Sequence, residues 1–449
     1  MVEKMELEVV NPRCAGIDVG SRSHFVAVGQ DLNDVREFGV YADDLTQICQ
    51  WLKEKGVTSV AMESTGNYWQ NLYVELSKYG FDLVLCNGKF TKNAKGKKTD
   101  VKDSRWIQKL HALGLLTSSF LPDETTEQLR TYCRQRTNWL NMAAETSSKM
   151  QKYLKLLNFR LDVVVKDVCG LTGLTIIADI CKGNLDPNSL SEHRHYNCKK
   201  SKEEIAKALK GNNRSDYLFG LKQEYESYLF LQGKISDCDK QIDKFMKDQI
   251  NADPQKRKLQ TTDKKHKRTN KNAPALDLNQ LAFQYFGGID LMAIEGVSHS
   301  TVLTLISEVG PGGFDKFPTA KHFTSWLRLA PNNKISGGKV LSHRIPKGSN
   351  RLKIALRQSA NAIGNLKDTE LSDFFRKVAF RKGRQSAVSA TARKLAVILW
   401  NMLTKKEPYK PSKEYLFLDQ KRHLKMVERI RKNITKFDLK PDELGFATS

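Results

Sequence analysis

The chain has 449 residues, enough for more than one hydrophobic core, and carries 74 Lys and Arg against 50 Asp and Glu, a formal net charge of +24. That excess favours a polyanionic partner such as nucleic acid over a merely basic globular protein, because the cations also cluster along the chain. No run approaches the roughly 20 apolar residues that span a bilayer, residues 1–12 lack the apolar centre of a signal peptide, and the eight cysteines follow neither zinc-site nor disulfide spacing. These features predict a soluble cytoplasmic protein without membrane association.

In chain order, residues 13–29 read as two β-rich runs separated by a Gly-Ser turn, with a third at 35–40. A helical pattern follows at 43–55, then an apolar run at 57–62, a helix from Asn67 to Lys78 and another apolar run at 82–86. The order βββαβαβ is an α/β arrangement. A Lys/Gly/Asn-rich loop at 87–98 precedes a helix from about Asp100 to Leu116. Segments 124–158 and 216–250 carry apolar residues at three- and four-residue steps with little Gly or Pro, predicting two long antiparallel helices. Leu171 to Asn184 reads as a short apolar helix and 185–215 as polar loop. A basic, aperiodic stretch begins at Asp253 and predicts a flexible linker. Beyond it, 291–310 reads as helix, tight turn, helix; 331–338 reads as a Gly/Ser-rich turn; and helices resume from Leu352 to Leu403. The expected domains are an α/β domain at 1–120, a helical coiled-coil region at 121–252, the linker at 253–275, a mostly helical domain at 276–410 and a basic helical tail at 411–449.

Two carboxylates stand at strand ends, Asp18 in I-D-V-G-S and Glu63 in V-A-M-E-S-T-G, while Asp100 and Asp103 stand three apart at a helix start. Residues three apart share a helical face, and a helix N-terminus favours negative charge. Four carboxylates brought together suit hard divalent cations, which polarise the phosphates of a displacement reaction. Taken singly, each acid has a local reading: Asp18 as a turn residue, Asp100 as a helix cap, Asp103 as solvated. The D-V-G-S run also looks like a phosphate loop of the sugar-kinase and actin group, but the second such loop that those ATPases need is missing from the sequence.

The blocks GIDVGSRSHFVAV, AMESTGNYWQNL and NGKFTKNAKGKKTDVKDSRWIQKLHALGLL resemble, in order and spacing, the N-terminal blocks of the insertion-sequence 110 family of DEDD transposases, which includes Piv-type DNA invertases. The resemblance implies a RuvC-like, ribonuclease-H-fold domain whose Asp18, Glu63, Asp100 and Asp103 are catalytic and bind Mg2+, with Mn2+ as the alternative. The block FTSWLRLAPNNKISGGKVLSHRIPKGSNRLKIAL resembles the family's second signature. It implies that Ser336, in the S-G position, is the nucleophile forming a transient phosphoserine link to DNA. Ser342 and Ser349 are neighbours outside that position. Arg328 stands where the family usually has Gly.

By chemistry alone, a hydroxyl among cations is placed to meet a phosphate, although Ser-Gly is most often a plain turn. The cations Lys339, Arg344, Lys347, Arg351, Lys353 and Arg357, with Arg381, Lys382 and Arg384 in a second acid-free stretch at 376–394, are the candidate nucleic-acid contacts. Segment 291–310 resembles a helix–hairpin–helix, whose turn aims backbone N–H groups at phosphates, or is a plain helical hairpin. His193, His195 and Cys198 lack an identifiable fourth ligand and read as surface loop.

The resemblance covers roughly 13–120 and 290–410. It further implies DNA and a structured guide-type RNA as partners. The long helices offer a seam for a homodimer or tetramer, in which the acidic and serine centres meet within or between chains. The expected activity is DNA strand cleavage and rejoining. The rivals are a junction nuclease using water and an actin-like ATP-binding protein.

Overall fold

Residues 14–19, Cys-Ala-Gly-Ile-Asp-Val, are buried but for Asp18 and form a central strand, β1 (Cys14–Val19). β2 (His24–Ala27) and β3 (Val35–Phe38) continue from it as an antiparallel meander. Two parallel neighbours follow, β4 (Ser59–Glu63) and β5 (Asp82–Cys86), giving the order β3-β2-β1-β4-β5. Parallel pairing requires crossovers, supplied by α1 (Ala42–Glu54) and α2 (Trp69–Lys78). Their apolar stripes, among them Ile48, Leu52, Leu72 and Leu76, pack with Ile17, Val60 and Met62. The structure is a computed structural model describing residues 8–88, 99–260, 272–342, 344–367, 369–410 and 417–438. It divides into two units, Met1–Leu121 and Pro122–Ser449.

A third helix, α3 (Asp100–Ala112), covers the other face of the first unit's sheet. Because side chains alternate along a strand, Cys14, Gly16 and Asp18 of β1 and Ser59, Ala61 and Glu63 of β4 share that face; the register pairs Cys14 with Ser59 and Gly16 with Ala61. Residues 89–98, which hold most of the Lys/Gly/Asn-rich loop, lie outside the described residues, as do residues 1–7.

The second unit is built on two long helices, α4 (Glu124–Leu156) and α5 (Ser215–Asn251), which run antiparallel as their sequence period predicts. Tyr132 meets Phe245 near one end, and Lys149 meets Glu224 towards the other. Met150, Leu154, Leu221, Tyr228 and Leu231 fill the seam, joined by Ile176, Ile177 and Ile180 of the apolar helix Leu171–Cys181. Segment 185–215 is not the loop expected. It holds two short helices, Pro187–Ser191 and Lys202–Ala208, which bury Leu190 and Ile205. Asp186 caps the first, and Ser201 and Glu204 cap the second reciprocally. His193 is bonded to Asp179 at 3.0 Å and Cys198 donates to the Val164 carbonyl, so these residues are held by structural contacts.

Both ends of the expected linker are structured. Residues 261–271 lie outside the described residues, but Pro254–Arg257 is helical and Asn272–Ala275 packs on the helix pair. Arg136 on α4 reaches Asp239 on α5 with Nε at 2.6 Å from Oδ1 and Nη2 at 3.3 Å from Oδ2. Arg136 also donates to the Asn272 carbonyl, and the Ala275 N–H donates to Asp239. Both charged side chains are more than nine-tenths buried. Removing one partner of such a pair strands the other charge, so Arg136→Ala should destabilise the second unit by about 3–5 kcal/mol in denaturant unfolding; a loss under about 1 kcal/mol would contradict this role.

The expected helix–turn–helix at 291–310 is also revised. Turns and bends occupy 291–296, and one helix follows, α6 (His299–Glu308); the helix before it is Leu278–Tyr285. Gly296 has φ +75°, and a Cβ there would lie 2.5 Å from Ile363 Cγ1, so this turn is packed against its neighbour. Ser298 caps α6, its Oγ accepting from Thr301 N at 3.2 Å. Glu308, at the end of α6, accepts from Arg134 through both oxygens, at 3.1 and 2.9 Å, which joins this segment to α4. The short helix Ala320–Trp326 and three longer ones, α7 (Arg351–Ile363), α8 (Glu370–Lys382) and α9 (Arg384–Lys405), follow, and the basic tail contributes the helix Phe417–Phe437. Residues 411–416 and 439–449 of that tail lie outside the described residues. No helix among the described residues is long and apolar enough to cross a membrane.

Candidate active site

The position of α3 decides the geometry of the acidic centre. A Cβ on Gly16 would stand 2.1 Å from Gln108 N and 2.6 Å from Ser104 O, so the helix backbone rests directly on the β1 backbone. Only a residue without a side chain permits that approach. Around this contact the Gln108 side chain donates to the Cys14 carbonyl, Ser59 Oγ lies 2.6 Å from His111 Nε2, and Asn11 Nδ2 donates to the His111 carbonyl at 2.8 Å. Burial holds the His111 imidazole below its ordinary pKa and so uncharged at neutral pH, and pushes the Cys14 thiol up to about 11. The sheet, the helix and their neutral hydrogen bonds thus form a rigid support.

Thr99 caps α3, its hydroxyl accepting from Lys102 N, and sets Asp100 and Asp103 in the first turn. Carboxylates are favoured there by the helix dipole. Asp18, at the penultimate position of β1, lies under this turn. One ligand atom each from Asp18, Asp100 and Asp103 fall within 4.8 Å of one another, with Asp18 and Asp103 half-buried and Asp100 exposed. Oxygen donors at this spacing fit a hard divalent ion, the donor set that Mg2+ or Mn2+ accepts.

Glu63 ends β4 on the same face of the sheet, one residue beyond the Ile17–Met62 pairing, but it does not belong to this cluster. Thr65 Oγ1 donates to its Oε1 at 3.0 Å, and the carboxylate lies against Gly88, where a Cβ would stand 2.2 Å from Oε1. The structure therefore brings together three of the four expected ligands and places the fourth on the adjoining strand end.

In the second unit, the Gly/Ser-rich turn is a β-hairpin: β6 (Lys334–Ser336) pairs with β7 (Lys339–Ser342) through Gly337 and Gly338, with φ +53° and +72°. Two successive positive φ values are those of a type I′ turn, which Gly-Gly satisfies without strain. Ser336 is thus the last residue of a strand rather than part of the turn. It is exposed, paired with Lys339, and its hydroxyl has no hydrogen bond to another described residue. Ser342 differs: it is half-buried and its Oγ accepts from Arg344 N at 3.2 Å. Ser349 is exposed but lies outside the hairpin.

Both sides of the hairpin base are fastened. Asn332 N donates to the Arg344 carbonyl, and Arg328 Nη1 donates to the Lys347 carbonyl at 2.6 Å. Arg328 has φ +54°, a left-handed conformation that costs a side-chain-bearing residue roughly 1–2 kcal/mol. The glycine usual at this position thus meets a backbone requirement. Here an arginine accepts the strain, and its guanidinium lies over Gly348, where a Cβ would stand 1.5 Å from Nη1. The sequence displayed the substitution but not the tether it makes.

The cations divide into two groups. Lys339, Arg344, Lys347, Arg381 and Lys382 are exposed, as is Arg351, whose Nε lies 3.9 Å from Glu308. Lys353 is the exception among the candidate contacts. It is 8% exposed, donates to the Pro346 carbonyl at 3.4 Å, and its amine is held below its ordinary pKa by burial and by Arg357 and Arg328. It lies on the buried stripe of α7 with Leu352 and Leu356, so its Nζ supports the loop after the hairpin. Arg357 is half-buried and donates to Ser389 Oγ, while Arg384 binds Asn361 Oδ1 and Asn365 Oδ1 at the end of α7.

Comparison with known proteins matches both regions. A DEDD-type IS110 family model, described as "Transposase", matches residues 15–159, and a second, described as "Transposase IS116/IS110/IS902 family", matches residues 290–376; together they cover just over half of the chain. The chain belongs to the IS110 transposase family. It is similar to the "Insertion element IS110 uncharacterized 43.6 kDa protein" of Streptomyces coelicolor, with 35% identity over 114 residues. That match spans 25% of this chain and 28% of the relative's length. The first family region contains β1, β4 and α3 with all four expected acids, and the second contains the Ser336 hairpin and Arg328. Arg381, Lys382 and Arg384 lie beyond both.

Proposed function

We propose that this protein is a transposase that cleaves and rejoins DNA through Ser336, with Asp18, Asp100 and Asp103, assisted by Glu63, holding Mg2+ or Mn2+. The observation that carries this reading is the carboxylate cluster where the end of β1 meets the first turn of α3. We assign the first unit to the RuvC-like, ribonuclease-H-like class. The support is the order β3-β2-β1-β4-β5, antiparallel across β1 to β3 and parallel across β1, β4 and β5, with acids at the ends of both central strands.

A bound divalent ion would neutralise charge building on the phosphate oxygens. This chain's residues supply the rest. Ser336 Oγ forms a bond to phosphorus as its proton departs; the bridging P–O bond breaks, and the released strand end takes a proton to become a hydroxyl. Rejoining reverses this: an incoming strand hydroxyl attacks the phosphoserine, and Ser336 regains its proton. One phosphodiester is exchanged for another without net hydrolysis. Lys339, Arg344 and Lys347, exposed on and after the hairpin, are suited to hold the strand by its phosphates. The two centres act together, within one chain or across a homodimer or tetramer. The family resemblance and the charge of +24 support DNA with a structured guide RNA as partners.

Denaturing gels of labelled DNA after reaction test the nucleophile. Wild type should leave a covalent protein–DNA species, and Ser336→Ala should leave none and lose strand exchange. Full exchange by Ser336→Ala would sink the serine mechanism and favour hydrolysis by water. An actin-like ATP-binding role would instead require tight Mg-ATP binding without affinity for nucleic acid.

A further inference from the structure

Phe380, near the end of α8, is 94% exposed, more than any other large apolar side chain among the described residues. The inward face of the same helix is well packed, with Leu371, Phe375 and Val378 buried, so Phe380 points away from a core that is complete without it. The helix's other two rings each have a cation over them: Lys394 Nζ lies 4.8 Å from the Phe374 centroid and the Arg384 guanidinium 5.5 Å from that of Phe375. No such partner lies over Phe380 among the described residues.

Around Phe380 the helix is basic. Arg376 is one turn earlier, with Lys377, Arg381 and Lys382 on either side, and no acid occurs from 376 to 394. The nearest acid on the helix, Asp373, faces Arg376 at 3.4 Å, which leaves Lys377, Arg381 and Lys382 outside any ion pair among the described residues. A single exposed ring on a basic helix end is unlike a protein-docking helix or a membrane-surface helix, each of which needs an apolar stripe. It matches the chemistry of single-strand recognition, where a base stacks on an aromatic ring and neighbouring phosphates meet cations.

We infer that Phe380 is a stacking platform for an unpaired base of DNA, with Lys377, Arg381 and Lys382 engaging the adjoining phosphates. The inference rests on the proposed DNA-binding function. It places a contact outside both regions that match the family models.

The test compares binding of the full chain, at one fixed salt concentration, to fully paired DNA and to the same duplex carrying one unpaired base. Wild type should prefer the unpaired base. Phe380→Ala should lose that preference, binding the unpaired-base duplex roughly tenfold more weakly and the paired duplex almost unchanged, and Phe380→Trp should keep it. Lys377→Ala with Arg381→Ala should weaken both duplexes and, when binding is repeated across salt concentrations, flatten the salt dependence. Because the ring is exposed, Phe380→Ala should melt at the wild-type temperature. Equal affinities in wild type and Phe380→Ala would overturn the inference, as would an equal loss on both duplexes. An effect confined to RNA of the same sequence would overturn its assignment to DNA. A change of oligomer size with unaltered DNA binding would instead assign the ring to a contact between copies. If wild type bound no DNA at all, the proposed function itself would fail, an outcome distinct from failure at Phe380.

Discussion

Replacing Gly16 with alanine should reduce strand cleavage by roughly a hundredfold while leaving a folded protein, although residue 16 carries no functional group. The added methyl would stand 2.1 Å from Gln108 N and 2.6 Å from Ser104 O, the donor and acceptor of one turn of α3. Backbone at that distance has no rotamer with which to yield, so α3 must lift from β1. Such overpacking costs about 1–3 kcal/mol, within what a folded domain tolerates. The larger consequence is geometric. Asp100 and Asp103 ride on the first turn of α3, whereas Asp18 is fixed in the sheet, so lifting the helix separates ligands now within 4.8 Å. Misplacement by an ångström typically costs about a hundredfold in rate. Circular dichroism and a modestly lowered melting temperature would show that Gly16→Ala folds; wild-type cleavage by that variant would mean that the contact between β1 and α3 does not set the acidic centre.

Asp103→Asn should lose most activity while leaving a folded protein. Asp103 lies in the first turn of α3 with Asp18 and Asp100 close by, and the amide keeps the size and shape of the acid, so the variant should remain folded. Activity should fall by roughly a thousandfold, because cation stabilisation of a reacting phosphate contributes several kcal/mol. Nucleic-acid binding should persist, since the exposed cations proposed to carry it are untouched. Replacing a solvated surface acid would leave activity unchanged.

Local rules made much of this legible in the sequence. Apolar runs ending at Asp18 and Glu63 foretold two strand ends, and the three-residue spacing of Asp100 and Asp103 foretold one helical face; both readings agree with the structure. The regular apolar period of 124–158 and 216–250 likewise foretold the long helix pair. Some of what was misread also had local signals. Asp186-Pro187 and Ser201 with Glu204 are helix starts inside a polar segment, and Gly337-Gly338 between Ile335 and Val340 is the pattern of a two-residue hairpin. Gly16 inside a strand was a sign of close backbone approach.

Other features had no local sign. That Lys353 is buried, that Asp239 binds Arg136 and Ala275 together, and that Arg328 reaches across Gly348 depend on segments far apart in the chain. Glu63 also depends on its surroundings: β4 places it on the right face, but Thr65 and Gly88 set where its carboxylate lies.

The central claim, that Asp18, Asp100 and Asp103 form a divalent-cation site, is tested most directly by Mn2+ titration of the full chain, followed by the paramagnetic signal of free ion and by calorimetry. Saturable binding to wild type that Mg2+ displaces is expected, with its loss in Asp18→Asn and in Asp103→Asn, both of which remain folded. Saturable binding of the same strength in wild type and both variants would contradict it.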